Sequence, residues 1–252
     1  MSASCVAGHC AATCNDLEKD GAETDVDCGG LCPTKCAAGK ACGANPDCAS
    51  GKCAAGACTD VLLISEVQTF GSAGSGDEFF EIYNPNAFPV TFDASWEVWA
   101  RDVVLPCTAL TKRFAGTGQV IPALGHLLYA SFTAYDGATS PDTTYMNAFD
   151  DAGQIVLLHS AALVDSLCYS YDATSLAKLT CATPPAMWFP CQGSADNNPH
   201  NGVSQASSTV DVSIERKPGG ALGNGQNTGD NTMDFVGNAP SNPQNLASPP
   251  TP

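Results

Sequence analysis

The sequence predicts an all-β protein, a β-sandwich preceded by a small module held together by disulfides. Three observations carry this prediction. The fourteen cysteines fall ten before residue 60 and four after it. After Thr59, short runs of β-branched and aromatic residues recur, separated by Gly, Pro, Asn and Asp. No sustained helical period crosses those separators. The 252 residues suffice for one large domain or two smaller ones. They divide here into a cysteine-rich module (1–60), a sandwich (61–246) with an insertion at 170–208, and a flexible tail (247–252).

The module comes first. It holds Cys5, Cys10, Cys14, Cys28, Cys32, Cys36, Cys42, Cys48, Cys53 and Cys58, with Val6, Leu17, Val26 and Leu31 but no aromatic residue. Such a stretch cannot build an ordinary hydrophobic core. Cross-links must replace burial, each contributing roughly 2–4 kcal/mol by restricting the unfolded chain. An even number of cysteines fits pairing in an oxidising compartment, while the connectivity stays open. Zinc is the competing use: Cys28, Cys32, Cys36 and His9 can be assembled as a ligand set. The even, dense spacing favours disulfides.

The strands follow in order: 61–67 (Val-Leu-Leu-Ile-Ser-Glu-Val), 78–83 (Glu-Phe-Phe-Glu-Ile-Tyr), 96–100 (Trp-Glu-Val-Trp-Ala), 126–130, 154–159, 163–169 and 210–214. Seven short strands over this length argue for two packed sheets. The 170–208 insertion, with Pro184-Pro185, Pro190 and Pro199, reads as a loop too long to order itself. Cys181 and Cys191 lie in it, Cys168 lies just before it and Cys107 is the fourth, so a disulfide there would pin it. The segment from Ala239 to Pro252 is rich in Pro, Asn and Ser and is expected to fray.

Two stretches resemble known families. Leu62-Leu-Ile-Ser-Glu-Val67 with Gly76-Asp-Glu-Phe-Phe-Glu-Ile-Tyr-Asn-Pro85 resembles the opening of a lamin-tail domain. The likeness continues through Pro89-Val90, Trp96, Leu127-Leu-Tyr-Ala130, Gly153-Gln-Ile-Val-Leu-Leu158 and Asp165-Ser166. It closes on Ser213-Ile-Glu-Arg-Lys-Pro218, Thr228-Gly-Asp-Asn231, Asp234-Phe235 and Pro240-Ser-Asn-Pro243. That resemblance implies an immunoglobulin-like β-sandwich, a fold found in nuclear lamins and as an extracellular module of bacterial surface proteins and nucleases. It makes Glu66 and Glu81 part of a structural signature. The 170–208 insertion departs from the family pattern. Residues 14–58, above all Glu23-Thr-Asp-Val-Asp-Cys-Gly-Gly30, resemble a cysteine-rich repeat of secreted and surface proteins of myxobacteria and related bacteria. That likeness implies a location rather than an activity.

Charge and motifs narrow the function. Twenty-six acidic against ten basic residues give a net charge of −16, which repels phosphate backbones and excludes nucleic acid as an expected partner. No window is long and apolar enough for a membrane span, so an integral membrane protein is not expected. No signal peptide is visible. Ser2-Ala-Ser-Cys5 looks like the end of a trimmed lipoprotein signal, but acylation of Cys5 would leave an odd number of cysteines. Asp20, Glu23, Asp25 and Asp27 alternate in a Gly-containing loop and are a candidate calcium site, because Ca²⁺ wants several hard oxygens. The competing reading is a turn whose carboxylates bond backbone amides. Trp188, Phe189, Asn197 and Asn198 are a candidate carbohydrate surface, against the reading that Trp188 plugs the insertion onto the sandwich. His126 and His159 sit in strand patterns and read as structural, and His200 lies in the insertion with no nucleophile motif beside it. No G-x-S-x-G, HExxH or P-loop occurs.

These features together predict a non-catalytic extracellular or cell-surface structural or adhesion protein, contacting other surface proteins or itself. A carbohydrate- or calcium-binding module, or the accessory domain of a secreted enzyme, are the alternatives.

Overall fold

A computed structural model describes residues 5–6, 9–10, 14–36, 40–48, 51–59, 61–103, 105–146, 149–198 and 211–252. The side chains of Cys5, His9 and Cys10, and the whole of His200, lie outside the described residues. The chain divides into two compact units, Met1–Val61 and Leu62–Pro252.

The first unit has little regular structure. Two hairpins of two-residue strands, β1 (Cys5–Val6) with β2 (His9–Cys10) and β3 (Cys53–Ala54) with β4 (Ala57–Cys58), are its only ladders among the described residues. Among the described residues four disulfides replace a core: Cys14–Cys32, Cys28–Cys36, Cys42–Cys53 and Cys48–Cys58. Cys28, Cys36, Cys42, Cys48 and Cys58 form the buried cluster themselves. Their sulfurs are covalently committed, which removes Cys28, Cys32 and Cys36 from any zinc set. Gly29 and Gly30 of the motif are left-handed, at φ +72° and +59°. A Cβ on Gly30 would stand 1.7 Å from the Ala22 carbonyl oxygen, so glycine is required there.

The second unit is a sandwich of two mainly antiparallel sheets. Its strands in chain order are β5 (Leu63–Gln68), β6 (Phe79–Tyr83), β7 (Val90–Phe92), β8 (Trp96–Asp102), β9 (Thr111–Ala115), β10 (Gln119–Ile121), β11 (His126–Ser131), β12 (Thr143–Tyr145), β13 (Gly153–His159), β14 (Ala162–Ser170), β15 (Asp196–Asn197), β16 (Ser213–Arg216) and β17 (Phe235–Asn238). One sheet runs β12-β11-β6-β5-β16-β17 and the other β15-β14-β13-β8-β9, with β7 and β10 as a separate ribbon. The predicted strands at 61–67, 78–83, 96–100, 126–130, 154–159 and 163–169 are found within two or three residues of their expected bounds. The last predicted strand starts at Ser213 rather than at 210.

The core lies between the sheets. Ile64, Val67, Phe80, Ile82, Leu127, Tyr129 and Ile214 come from one sheet, and Trp96, Val98, Ile155, Leu157, Leu167 and Tyr169 from the other. A register shift between Ile64 and Glu66 lets both Ile64 and Val67 face the core and turns Glu66 to the opposite face. Arg216 is fully buried. Its Nε donates to the Ile64 carbonyl (2.7 Å), Nη2 to Asp165 Oδ2 (2.6 Å) and Nη1 to the Gln226 carbonyl (2.7 Å), and its guanidinium lies 4.3 Å from the centre of the Phe235 ring. Asp165 Oδ2 also accepts from the Ile64 amide, so one charged pair joins the two sheets.

Two expectations need correction. The 239–252 segment does not fray: Leu246 packs on the core, Tyr83 Oη donates to the Thr251 carbonyl, and the Thr251 amide donates to the Leu124 carbonyl. Proline and asparagine removed its ladder potential, yet tertiary hydrogen bonds hold it. The insertion is also not wholly loop. It carries α1 (Ala173–Lys178), capped by Asp172, which accepts from the Ser175 amide (2.7 Å), as well as β15. Cys107–Cys181 and Cys168–Cys191 tie it down. Among the described residues no helix is long and apolar enough to cross a membrane.

Candidate functional site

The 20–27 loop was the first sequence candidate, and its carboxylates are occupied by backbone amides. Asp25 accepts from Ala41 (2.6 Å) and Val26 (2.7 Å), with Lys40 Nζ at 3.3 Å. Those amides hold its carboxyl below the usual carboxylate range. Asp27 accepts from the amides of Asp16 and Leu17, and Glu23 from those of Asp20 and Asp27. Among the described residues no three of Asp20, Glu23, Asp25 and Asp27 converge on one point. The calcium expectation for this loop is therefore corrected to the turn reading. Asp47, which the spacing did not single out, does the same work: it accepts from Gly30, Gly43 and Ala44 and is shifted down by those amides.

The carbohydrate candidate also dissolves into structure. Arg101 lies 5.3 Å from the Trp188 ring centre, Phe189 packs against the cluster of Leu110, Val156 and Leu158, and the neighbouring Met187 carbonyl accepts from the Leu110 amide. Asn198 is buried and donates to Thr69 Oγ1 (3.1 Å) and the Asp151 carbonyl (2.7 Å); only Asn197 is exposed. Trp188 and Phe189 are thus partly packed on the sandwich, and Asn198 is turned inward. His126 and His159 are structural. His126 is buried and donates from Nε2 to Asn224 Oδ1 (3.0 Å), and burial pushes it down to about 4. His159 stacks on Trp96 with ring centres 4.1 Å apart.

Two features of the six-stranded sheet were not legible in the spacing. The first is a row of glutamates. Glu215, Glu66 and Glu81 stand directly opposite one another on β16, β5 and β6. Like charges in that position repel. Burial, with the neighbouring carboxylates, pushes Glu66 up to about 7 and Glu81 well above its ordinary range. Ser213 and Ser65 hydroxyls donate to Glu66 and Glu81, and the Asn242 and Gln244 amides of the C-terminal segment cap the two carboxyls. The row thus anchors the segment that covers this face.

The second feature lies at one end of the same sheet. Gln68 ends β5, Asp77 precedes β6, Asp136 follows β11 and Asp211 precedes β16, and these strands are neighbours, so their ends converge. One carboxylate oxygen from each of Asp77, Asp136 and Asp211 lies within 4.8 Å of the others. Asp77 is buried, and desolvation pushes it up to about 6 with help from Asp136. The Ala73 and Asp136 amides donate to it, and the Ser72 amide to Asp211 (2.7 Å). Sequence separation of more than 130 residues hid this cluster.

Neither protein-family models nor curated proteins give a match. Among solved structures the chain is similar to a DUF4876 family protein from Bacteroides thetaiotaomicron, with 14% identity over 70% of each chain and a TM-score of 0.43.

Proposed function

We propose that this chain is a non-catalytic, exported surface protein whose work is contact with other proteins, itself included. The observation that carries the reading is the pair of disulfide frameworks. One substitutes for a core in the first unit, and the other fastens the insertion to the sandwich. Disulfides of this density belong to oxidising compartments. They stiffen surface elements that burial alone would leave loose, as a displayed protein needs. The lamin-tail resemblance of 61–246 and the myxobacterial-type repeat of 14–58 support the same reading. Phe132 and Met146, just past the ends of β11 and β12, are 70% and 83% exposed, and the Phe132 amide donates to the carbonyl of Tyr145, the residue before Met146. An exposed apolar pair beside the edge strand β12 suits a protein–protein contact.

Light scattering of the purified protein, alone and with isolated cell envelopes, tests this. Association or envelope capture, weakened at least severalfold by the double substitution Phe132→Ser/Met146→Ser, is the expected result. A strict monomer that captures nothing from the envelope would overturn the reading.

A further inference from the structure

We propose that Asp77, Asp136, Asp211 and the side-chain oxygen of Gln68 form a binding site for a calcium-type divalent cation at the end of the six-stranded sheet. Three carboxylate oxygens within 4.8 Å of one another are placed to share one ion. Among the described residues no Lys, Arg or His forms an ion pair with any of the three. An acidic cluster alone would mean little, since solvent and hydrogen bonds often suffice.

Gln68 supplies the independent observation. It is 1% exposed, and its Oε1 has no hydrogen-bond partner although Nε2 donates to the Asp77 carbonyl (3.0 Å). A buried amide oxygen left without a partner is unfavourable, so a partner for it is expected. Its place is beside the cluster. A Cβ at Gly71 would stand 2.0 Å from Asp77 Oδ2 and 2.5 Å from Gln68 Nε2, so the amide and the carboxylate close around the same glycine. Gln68 and Asp211 line one cavity of about 320 Å³, together with Tyr135, Thr139 and Asn242.

The donor set is all hard oxygen, with three formal negative charges and one neutral amide. Ca²⁺ takes about six to eight oxygens at roughly 2.3–2.6 Å in flexible geometry, so water would complete the shell. Mg²⁺ demands tighter octahedral geometry and keeps most of its water. A thiolate or imidazole metal is not favoured by this set. The site also has a structural consequence. Its ligands come from the ends or flanks of β5, β6, β11 and β16, so a bound ion would cross-link four neighbouring strands.

The test titrates the full chain with Ca²⁺ by calorimetry and follows Tb³⁺ luminescence excited through Tyr135. We expect one Ca²⁺ site, Tb³⁺ emission that Ca²⁺ displaces, and at least a tenfold loss of both in Asp136→Asn/Asp211→Asn. Asp25→Asn, in the amide-occupied loop, should leave both unchanged. Asp136 is exposed, so if circular dichroism shows the double variant unfolded, the single Asp136→Asn carries the comparison. A folded wild-type protein that binds no Ca²⁺ would overturn the proposal. So would binding that the Asp136 and Asp211 substitutions leave intact, or that Asp25→Asn abolishes.

Discussion

Arg216 carries its positive charge in the interior of the sandwich, and its fit there is made by specific partners. Asp165, two carbonyls and the Phe235 ring surround the guanidinium. Removing one member of such a pair leaves the other charge buried alone, at about 3–5 kcal/mol. Arg216→Ala should therefore lower the urea midpoint sharply, and Arg216→Lys should recover little, because an ammonium cannot reproduce the planar fork. A midpoint unchanged in either variant would mean the pair is not the joint described here. At this scale the candidate sites were the least legible. Local carboxylate density marked the 20–27 loop, but backbone amides had prior claim on those oxygens. Asp77, Asp136 and Asp211 share no local pattern and meet only because β5, β6, β11 and β16 are neighbours.

The strand pattern, by contrast, could be read almost element by element. The central strands β5, β6, β8, β11, β13 and β14 are apolar enough to announce themselves, since each fills the core with side chains. The short β7, β10 and β12 and the charge-bearing β9 were missed, because runs of three to five residues show no clear period and their place is decided by pairing with distant strands, although Val90, Phe92, Ile121 and Tyr145 lie in the core. The C-terminal segment was misread for the same reason: its partners are the glutamates of other strands. Those glutamates make a pH prediction. Glu66 at about 7 and Glu78, which lies outside that row and accepts from the Phe149 amide, at about 8 are above the ordinary 4.5, with desolvation the largest cause in each, and Glu81 lies well above. The fold favours their protonated forms. Their contribution is complete below 4.5 and is lost as pH rises through 7 to 8. His126 acts oppositely, because its contribution is present above 6.5 and lost as pH falls towards 4. Between pH 6.5 and 8 the buried carboxyls outweigh His126. The melting temperature should fall by several degrees across that window, and Glu66→Gln should flatten the decline. A melting temperature that holds steady or climbs there would contradict the buried glutamate row.

For the whole molecule, two solutions to the same problem stand side by side in one chain. The sandwich has an apolar core between its sheets, and its two disulfides secure the insertion rather than the core. In the chain-entropy picture, the 74-residue separation of Cys107–Cys181 contributes about 4 kcal/mol. The first unit has no such core, and its four bonds among the described residues are its core. The cysteine count revealed that contrast, while the pairing needed the structure, because spacing alone allows many connectivities. Both the fold of the first unit and the proposed oxidising setting require those bonds to be formed in the native protein. Peptide mapping of the unreduced chain by mass spectrometry is the most direct measurement. It should recover Cys14–Cys32, Cys28–Cys36, Cys42–Cys53, Cys48–Cys58, Cys107–Cys181 and Cys168–Cys191. Free thiols at these twelve positions, or a different pairing in the folded protein, would contradict it.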